Sequence, residues 1–315
     1  PAFRSEIDRD AVALFLRYSY IPTPYSIYKG IYKLPPGTHL QVGPSTVTAP
    51  APTAYWSARD MATAGLTGRF TGSDVDAVDE LDRLLRHSVA GQSMADVPLG
   101  AFLSGGIDSS TVVALMQALS NRSVKTFSIG FHEADYNEAE YAKVIARHLG
   151  TEHTELYVTP KESLEIVPRL SAIWDEPFSD ASQIPTFLIA ELTRRHVTVS
   201  LSGDGGDELF GGYNRYSELR WVWNKIKHVP LFARRLAAST ITAFSPAALT
   251  QAVAPLLYLS PKRLRHGNAG EKLHKLAEAI ALPDPETIYR DVLISHWGAP
   301  AAVVVGGIEP ETLVN

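Results

Sequence analysis

Between residues 97 and 202 short apolar runs and amphipathic stretches take turns, and this alternation restricts the fold more than any other feature of the chain. The runs "VPLGAFL" (97–103), "VKTFSIGF" (124–131), "HTELYV" (153–158) and "HVTVSLS" (196–202) have the composition of buried strands. Between them, "DSSTVVALMQALS" (108–120), "NEAEYAKVIARHLG" (137–150) and stretches near 161–174 and 183–195 read as helices, with Gly150 as a stop. Strand and helix in turn imply a parallel sheet with helices on both faces, an α/β fold. Ligands of such sheets sit beyond the carboxyl ends of the strands, so the chemistry belongs in the loops that follow them.

The flanks read differently. A short helical pattern, "DAVALFLRYSY" (10–20), leads into "IPTPYSIYKGIYKLPPGTHLQV" and a proline-dotted segment ending in "TAYWS", which carry strand and turn signals. This is the edge of a β-rich unit and is too short to be that unit alone. "AGLTGRFTGSD" (64–74) reads as a linker. Ser73 or Asp74 then caps a helix whose Val75, Val78, Leu81, Leu85 and Val89 recur at helical spacing. From about residue 214 the chain reads as helical, with "SPKRL" and "ALPDPE" as breaks.

Composition removes several chemistries. The 315 residues include no cysteine, which excludes disulfides, thiolate metal sites and cysteine nucleophiles. A net charge of -5 argues against a general nucleic-acid surface. Basic residues between Arg215 and Lys275 (Arg234, Arg235, Lys262, Arg263, Arg265) read as solvated helix faces. No stretch approaches the roughly 20 apolar residues that span a bilayer, and "PAFRSEIDRD" lacks signal-peptide form, so a cytoplasmic location is expected. The ten histidines show no metal-binding spacing, and His196 reads as a helix-end residue.

Two strand-end loops carry the chemistry. In "SGGIDSS", Gly105 and Gly106 permit a tight turn, Ser104, Ser109 and Ser110 can donate to phosphate oxygens, and the next helix aims its N-terminus at an anion. No GxxxxGK[ST] is present, so the usual ATPase cradle is absent. Asp108 would repel a bare phosphate, and its presence makes sense if it holds a magnesium ion that bridges to the phosphates. The second loop, "LSGDGGDELFGGYNRY" (201–216), sets Asp204, Asp207 and Glu208 among five glycines, a composition suited to a bound cation or a base. Upstream, "WDEPFSDASQIPTFLIAEL" places Asp175, Glu176 and Asp180 before a helix, where capping and solvation are equally good accounts. Tyr213 and Tyr216 suit either a ligand pocket or core packing.

SGGIDSS after an apolar strand resembles the PP-loop of ATP pyrophosphatases. Together with DEPFSDASQIP and LSGDGGDELFGGYNRY, at spacings of about 70 and 25 residues, it resembles the synthetase domain of glutamine-dependent asparagine synthetases. "YIPTPYSIYKGIYKLPPGTHLQV" followed by "YW" resembles the closing stretch of that family's glutaminase domain. The resemblance implies a PP-loop domain at 75–315 with a helical C-terminal part. It also implies a linker at 66–74 and, at 1–65, the remnant of a glutamine amidotransferase domain. ATP and Mg2+ would be the cofactors. Aspartate would be activated as an acyl-adenylate with release of pyrophosphate, and ammonia, derived from glutamine in a full-length protein, would convert it to asparagine and AMP. Ser104, Gly105, Gly106, Asp108, Ser109 and Ser110 would cradle pyrophosphate, and Asp108 and Asp207 would hold magnesium. Backbone near Leu103, Ile129, Ser202 and Gly203 would recognise adenosine. Asp204 stands where the family often has a glutamate and would be the base for ammonia. No nucleic acid or membrane partner is expected, and a homodimer is allowed.

Two departures accompany the resemblance. The glutaminase cysteine is missing, so ammonia would be the nitrogen source for this chain, and the chain ends before the family's downstream phosphate-binding lysine. With Pro1 as first residue, the expectation is a fragment of a protein of about twice the length, with Lys272 and Lys275 on the surface. Adenylation of another acid, as in relatives that act on β-lactam, lasso-peptide or sugar substrates, and a non-catalytic nucleotide-binding module are the alternatives.

Overall fold

The computed structural model describes residues 4–44, 50–132, 137–258 and 268–312, with backbone alone at 254–258. The break at "SPKRL" and the basic residues Lys262, Arg263 and Arg265 lie outside the described residues. The chain forms two compact units, Lys33–Gly211 and a discontinuous one of Pro1–Tyr32 with Gly212–Asn315.

The discontinuous unit opens with α1 (Arg9–Tyr18), capped by the Asp8 carboxylate. In the other unit, β1 (Thr38–His39) and β2 (Thr53–Ala54) form a small antiparallel ladder. It is followed by α2 (Ala58–Thr67), α3 (Asp74–Gln92), β3 (Leu99–Phe102), α4 (Ile107–Leu119), β4 (Lys125–Phe131) and α5 (Ala139–Leu149). Next come β5 (Glu152–Val158), α6 (Pro160–Ile166), α7 (Leu170–Ile173), α8 (Gln183–Arg194), β6 (Val199–Leu201) and α9 (Gly206–Phe210). The remaining helices, α10 (Asn214–Ile226), α11 (Leu231–Thr242), α12 (Pro246–Tyr258), α13 (Ala269–Ile280) and α14 (Pro285–Ile288), belong to the discontinuous unit.

β3 to β6 form one parallel sheet in the order β5-β4-β3-β6. The chain moves outward from β3 to β4 and β5, then returns to place β6 on the other side of β3. The strand order therefore reverses beside β3, and the gap beyond the ends of β3 and β6 is the switch point where open α/β sheets bind ligands. Ala101, Leu103, Val113, Ala142 and Ala146 form a core on one side. Phe127, Leu192 and Val197 form another with help from Phe102 and Ile189. Between β4 and β5 lies a buried polar row: Thr126 Oγ1 is 2.9 Å from His153 Nδ1, and Ser128 Oγ is 3.1 Å from Nε2.

Ser73 caps α3 in a reciprocal box with Asp76, as its residue type predicts. Of the five periodic apolar positions on α3 only Val89 is buried, with Leu85 packed beside it, while Val75 and Val78 stand exposed. α2 is absent from the sequence reading because it buries none of its residues and so carries no apolar stripe. His196 does close a helix: its N–H donates to Thr193.

Arg234 corrects the reading of the basic residues as solvated. It is buried, and its guanidinium donates to the carbonyls of Val229, Ile280 and Leu282 at 3.1, 3.2 and 2.8 Å. Carbonyls at the end of α13 have no acceptor role left within the helix, and a planar five-donor group satisfies several at once. Arg235, Lys272 and Lys275 are exposed, as expected.

Candidate nucleotide site

The PP-loop residues leave β3 and enter α4 directly. Leu103 is buried and continues the pairing of β3 with β4 through an N–H to Phe127. Gly105 has φ +85°, and a Cβ there would come within 2.7 Å of Tyr141 Cβ and 2.9 Å of Ala142 N on α5. The turn thus requires glycine twice over, for its backbone sign and for the close approach of α5. Gly106 occupies the cap position of α4 and supplies no side-chain acceptor, which leaves the positive end of a 13-residue helix for an anion.

The hydroxyls are ordered by one another. Ser104 Oγ lies 2.9 Å from Ser109 Oγ, and the Ser109 hydroxyl accepts from Ser104 N–H at 3.2 Å. Ser110 Oγ donates to the Gly106 carbonyl at 2.6 Å. An incoming phosphate oxygen would exchange these weak internal bonds for charge-assisted ones.

The loop after β6 closes on this turn. A Cβ on Gly203 would lie 2.6 Å from Ser109 N and 2.9 Å from the Asp108 carbonyl carbon. One on Gly206 would meet the Asp108 carboxyl group, Cγ and Oδ2, at 2.5 Å. Asp108 is therefore lodged between two glycines of the second loop, half-buried, with its carboxylate over the start of α9. Asp207, also half-buried, stands in the first turn of that helix. Asp204 is exposed and accepts a hydrogen bond from Ser202 Oγ at 3.0 Å.

Ile129 stands apart from this contact, within β4 opposite Leu156, its side chain in the cluster around Val158 and Leu188. The acidic segment before α8 divides its residues among three tasks. Asp175 is exposed, Glu176 pairs with Lys33, and Asp180 accepts from Ser182 N–H at 2.7 Å. Hydrogen bonds from Ser182, hydroxyl first and backbone second, hold the Asp180 carboxyl below its ordinary range. Two residues at the site escaped the sequence reading. Gly206 was signalled only by the doubled glycine of "DGGD", and Tyr141 by nothing, since its approach to Gly105 is set by the packing of α5 against α4.

The sheet and its two strand-end loops define an α/β domain of the PP-loop ATP pyrophosphatase type. Residues 80–303 match the family model for asparagine synthase, and the chain belongs to that family. It is 34% identical over 289 residues to a putative asparagine synthetase (glutamine-hydrolyzing) 2 of Methanocaldococcus jannaschii, covering 91% of this chain and 50% of that protein. It is 34% identical to asparagine synthetase (glutamine-hydrolyzing) 1 of Bacillus subtilis, over 68% of this chain and 32% of that one. A putative asparagine synthetase (glutamine-hydrolyzing) of Mycobacterium tuberculosis is 36% identical over 69% of this chain and 32% of its own. The chain thus spans half or less of the length of these curated relatives. Among the described residues no helix is long and apolar enough to cross a membrane.

Proposed function

We propose that this chain carries the synthetase half-reaction of an asparagine synthetase: ATP-dependent conversion of the aspartate side-chain carboxylate to an amide. The observation that carries the reading is the lodging of Asp108 between Gly203 and Gly206 at the sheet's switch point, which joins the two motif loops into one site. A carboxylate resists nucleophiles. Its oxygen attacks the α-phosphorus of ATP, the bond to the β-phosphate oxygen breaks, and pyrophosphate leaves. Ammonia nitrogen then attacks the acyl carbon, and AMP departs with the oxygen it gained.

The chain's own groups supply position and proton transfer. The α4 N-terminus with Ser104, Gly105, Gly106, Ser109 and Ser110 binds the departing pyrophosphate. Backbone at Leu103, Ile129, Ser202 and Gly203 receives adenosine. Asp204, exposed beside Ser202, takes the proton that the attacking ammonia sheds. Among the described residues no three acidic or histidine side chains gather into a metal cage. The donor set fits magnesium, which is ordinarily held by one or two carboxylates with phosphate oxygens and waters completing the shell. Asp108 and Asp207 would hold it, and when bound it would neutralise charge on the phosphates. Residues 1–65 fit the closing part of a glutamine amidotransferase domain and 66–74 a linker to the synthetase domain at 75–315, with ammonia as the nitrogen nucleophile of the synthetase reaction.

Product analysis tests the reading. The purified chain with ATP, magnesium, aspartate and ammonium should form AMP and pyrophosphate in an aspartate-dependent manner, and Asp108→Ala should abolish both. ADP and phosphate as products would overturn the PP-loop assignment, and AMP formation indifferent to aspartate would overturn the choice of acid.

A further inference from the structure

The first turn of α5 walls one side of the PP-loop turn, because Gly105 rests against Tyr141 and Ala142. Its own cap does not hold it there: Glu138, at the cap position, makes no side-chain hydrogen bond to the helix. Such a turn leaves backbone donors unanswered and depends on other contacts for its place. The sheet supplies them. Ala139 is buried against Gly130 of β4, where a Cβ would come within 2.9 Å of Ala139 Cβ, Tyr157 Cε1 and Asn137 Oδ1. Tyr157 of β5 pairs with Gly130 in the ladder, and its hydroxyl donates to Glu140 Oε1 at 3.0 Å.

The same hydroxyl lies 3.1 Å from Glu155 Oε2, while Lys143 of α5 pairs with Glu155 at 3.2 Å. The His132 ring is tilted against that of Tyr157, with centres 5.8 Å apart. One phenolic proton thus stands between two carboxylates, one on α5 and one on β5. Without it Glu140 would face Glu155 with no donor between them and Lys143 alone to offset the charge, and like charges at that range repel. Glu140 and Tyr141 are neighbours in the chain, so a shift of Glu140 away from β5 moves the wall on which Gly105 rests.

We propose that Tyr157 is a positioning residue for phosphate binding: through Glu140 it fixes the first turn of α5, and through Tyr141 and Ala142 that turn fixes Gly105. The consequence for binding rests on the proposed PP-loop function; the anchor itself rests on the contacts of Tyr157. Tyr157 acts through α5 and not on the reactants.

The test pairs amide hydrogen exchange with titration by magnesium and inorganic pyrophosphate. It uses the whole chain as wild type, Tyr157→Phe, Glu140→Ala, and Tyr157→Phe combined with either Glu140→Ala or Glu140→Gln. Melting curves establish that each variant is folded. Tyr157→Phe should speed exchange at Ala142, whose N–H donates to Glu138, and weaken pyrophosphate binding, each about tenfold. Glu140→Ala should do the same, and the two together should cost little more than either, because both remove one bond. With Glu140→Gln, the new amide can donate to Glu155 in place of the phenol, so Tyr157→Phe should regain most of both losses. A hydroxyl that mattered only for packing would not be replaced in this way. Wild-type affinity in folded Tyr157→Phe, additive losses with Glu140→Ala, or no recovery with Glu140→Gln overturns the proposal and leaves the PP-loop reading standing. A wild type that binds no pyrophosphate overturns the PP-loop reading and the positioning role with it.

Discussion

Gly203→Ala tests the meeting of the two motif loops at its narrowest point. The new methyl would lie 2.6 Å from Ser109 N and 2.9 Å from the Asp108 carbonyl carbon, where ordinary contact begins at 3.4 Å. Both atoms are backbone at the start of α4, so relief requires one loop to retreat by roughly 0.8 Å, an overpacking that costs about 1–3 kcal/mol. At about 2–4 °C per kcal/mol for a unit of this size, the melting temperature should fall by roughly 2–12 °C. Gly206→Ala separates stability from binding. Its methyl meets the Asp108 carboxyl group, which can swing away, and at the first position of α9 alanine is favoured over glycine by up to about 1 kcal/mol. Its melting temperature should stay near that of the wild type. A carboxylate displaced by about 1 Å, however, reaches the scale on which positioning losses approach a hundredfold, so affinity for ATP with magnesium should drop at least about tenfold. Thermal melts and ATP titrations with and without magnesium measure both quantities. Wild-type melting and binding in Gly203→Ala would refute the contact, and a Gly206→Ala variant that loses stability but keeps binding would reduce Asp108 to a structural residue.

Three further outcomes follow from the packing. Arg234→Met strands the carbonyls of Val229, Ile280 and Leu282 and should cost about 3 kcal/mol, read as a lower urea midpoint at unchanged slope, with Arg234→Lys recovering only part. Burial between Thr126 and Ser128 lowers the His153 pKa from 6.5, so the unfolded chain takes up a proton before the folded one does. Stability should therefore decline as pH falls below about 6.5, and His153→Gln should flatten that decline in denaturation curves. Burial, aided by hydrogen bonds to Glu140 and Glu155, pushes the Tyr157 phenol up to about 12. The folded state holds that proton longer, so stability should fall as pH rises above about 10, and Tyr157→Phe should be less sensitive across that range.

The strands of the sheet were legible because buried parallel strands are short apolar runs bounded by polar turns: β3, β4 and β6 fall within the runs that announce them, and β5 exceeds its run by one residue. The two motif loops were legible because glycine, hydroxyl and acidic residues directly after such runs have few structural uses. What the chain hides are properties that exist only between distant segments. The apolar stripe of α3 says which residues share a face, not whether that face is covered, and Val75 and Val78 are left bare while Val89 is buried. Arg234 looks like its solvated neighbours until the end of α13 and the turn after it bring the carbonyls of Ile280, Leu282 and Pro283 to it.

The sheet order is the most consequential of these hidden properties. Alternating strands and helices are equally compatible with β6 joining the far edge beside β5, which would carry the loop after β6 away from the PP-loop. Its place beside β3 makes the strand order reverse there, and the reversal brings Gly203 and Gly206 against Asp108. Two motifs about a hundred residues apart in sequence thus become one site through a single topological choice. The glycines of the second loop are needed less for flexibility than for lacking the atom that would keep the loops apart.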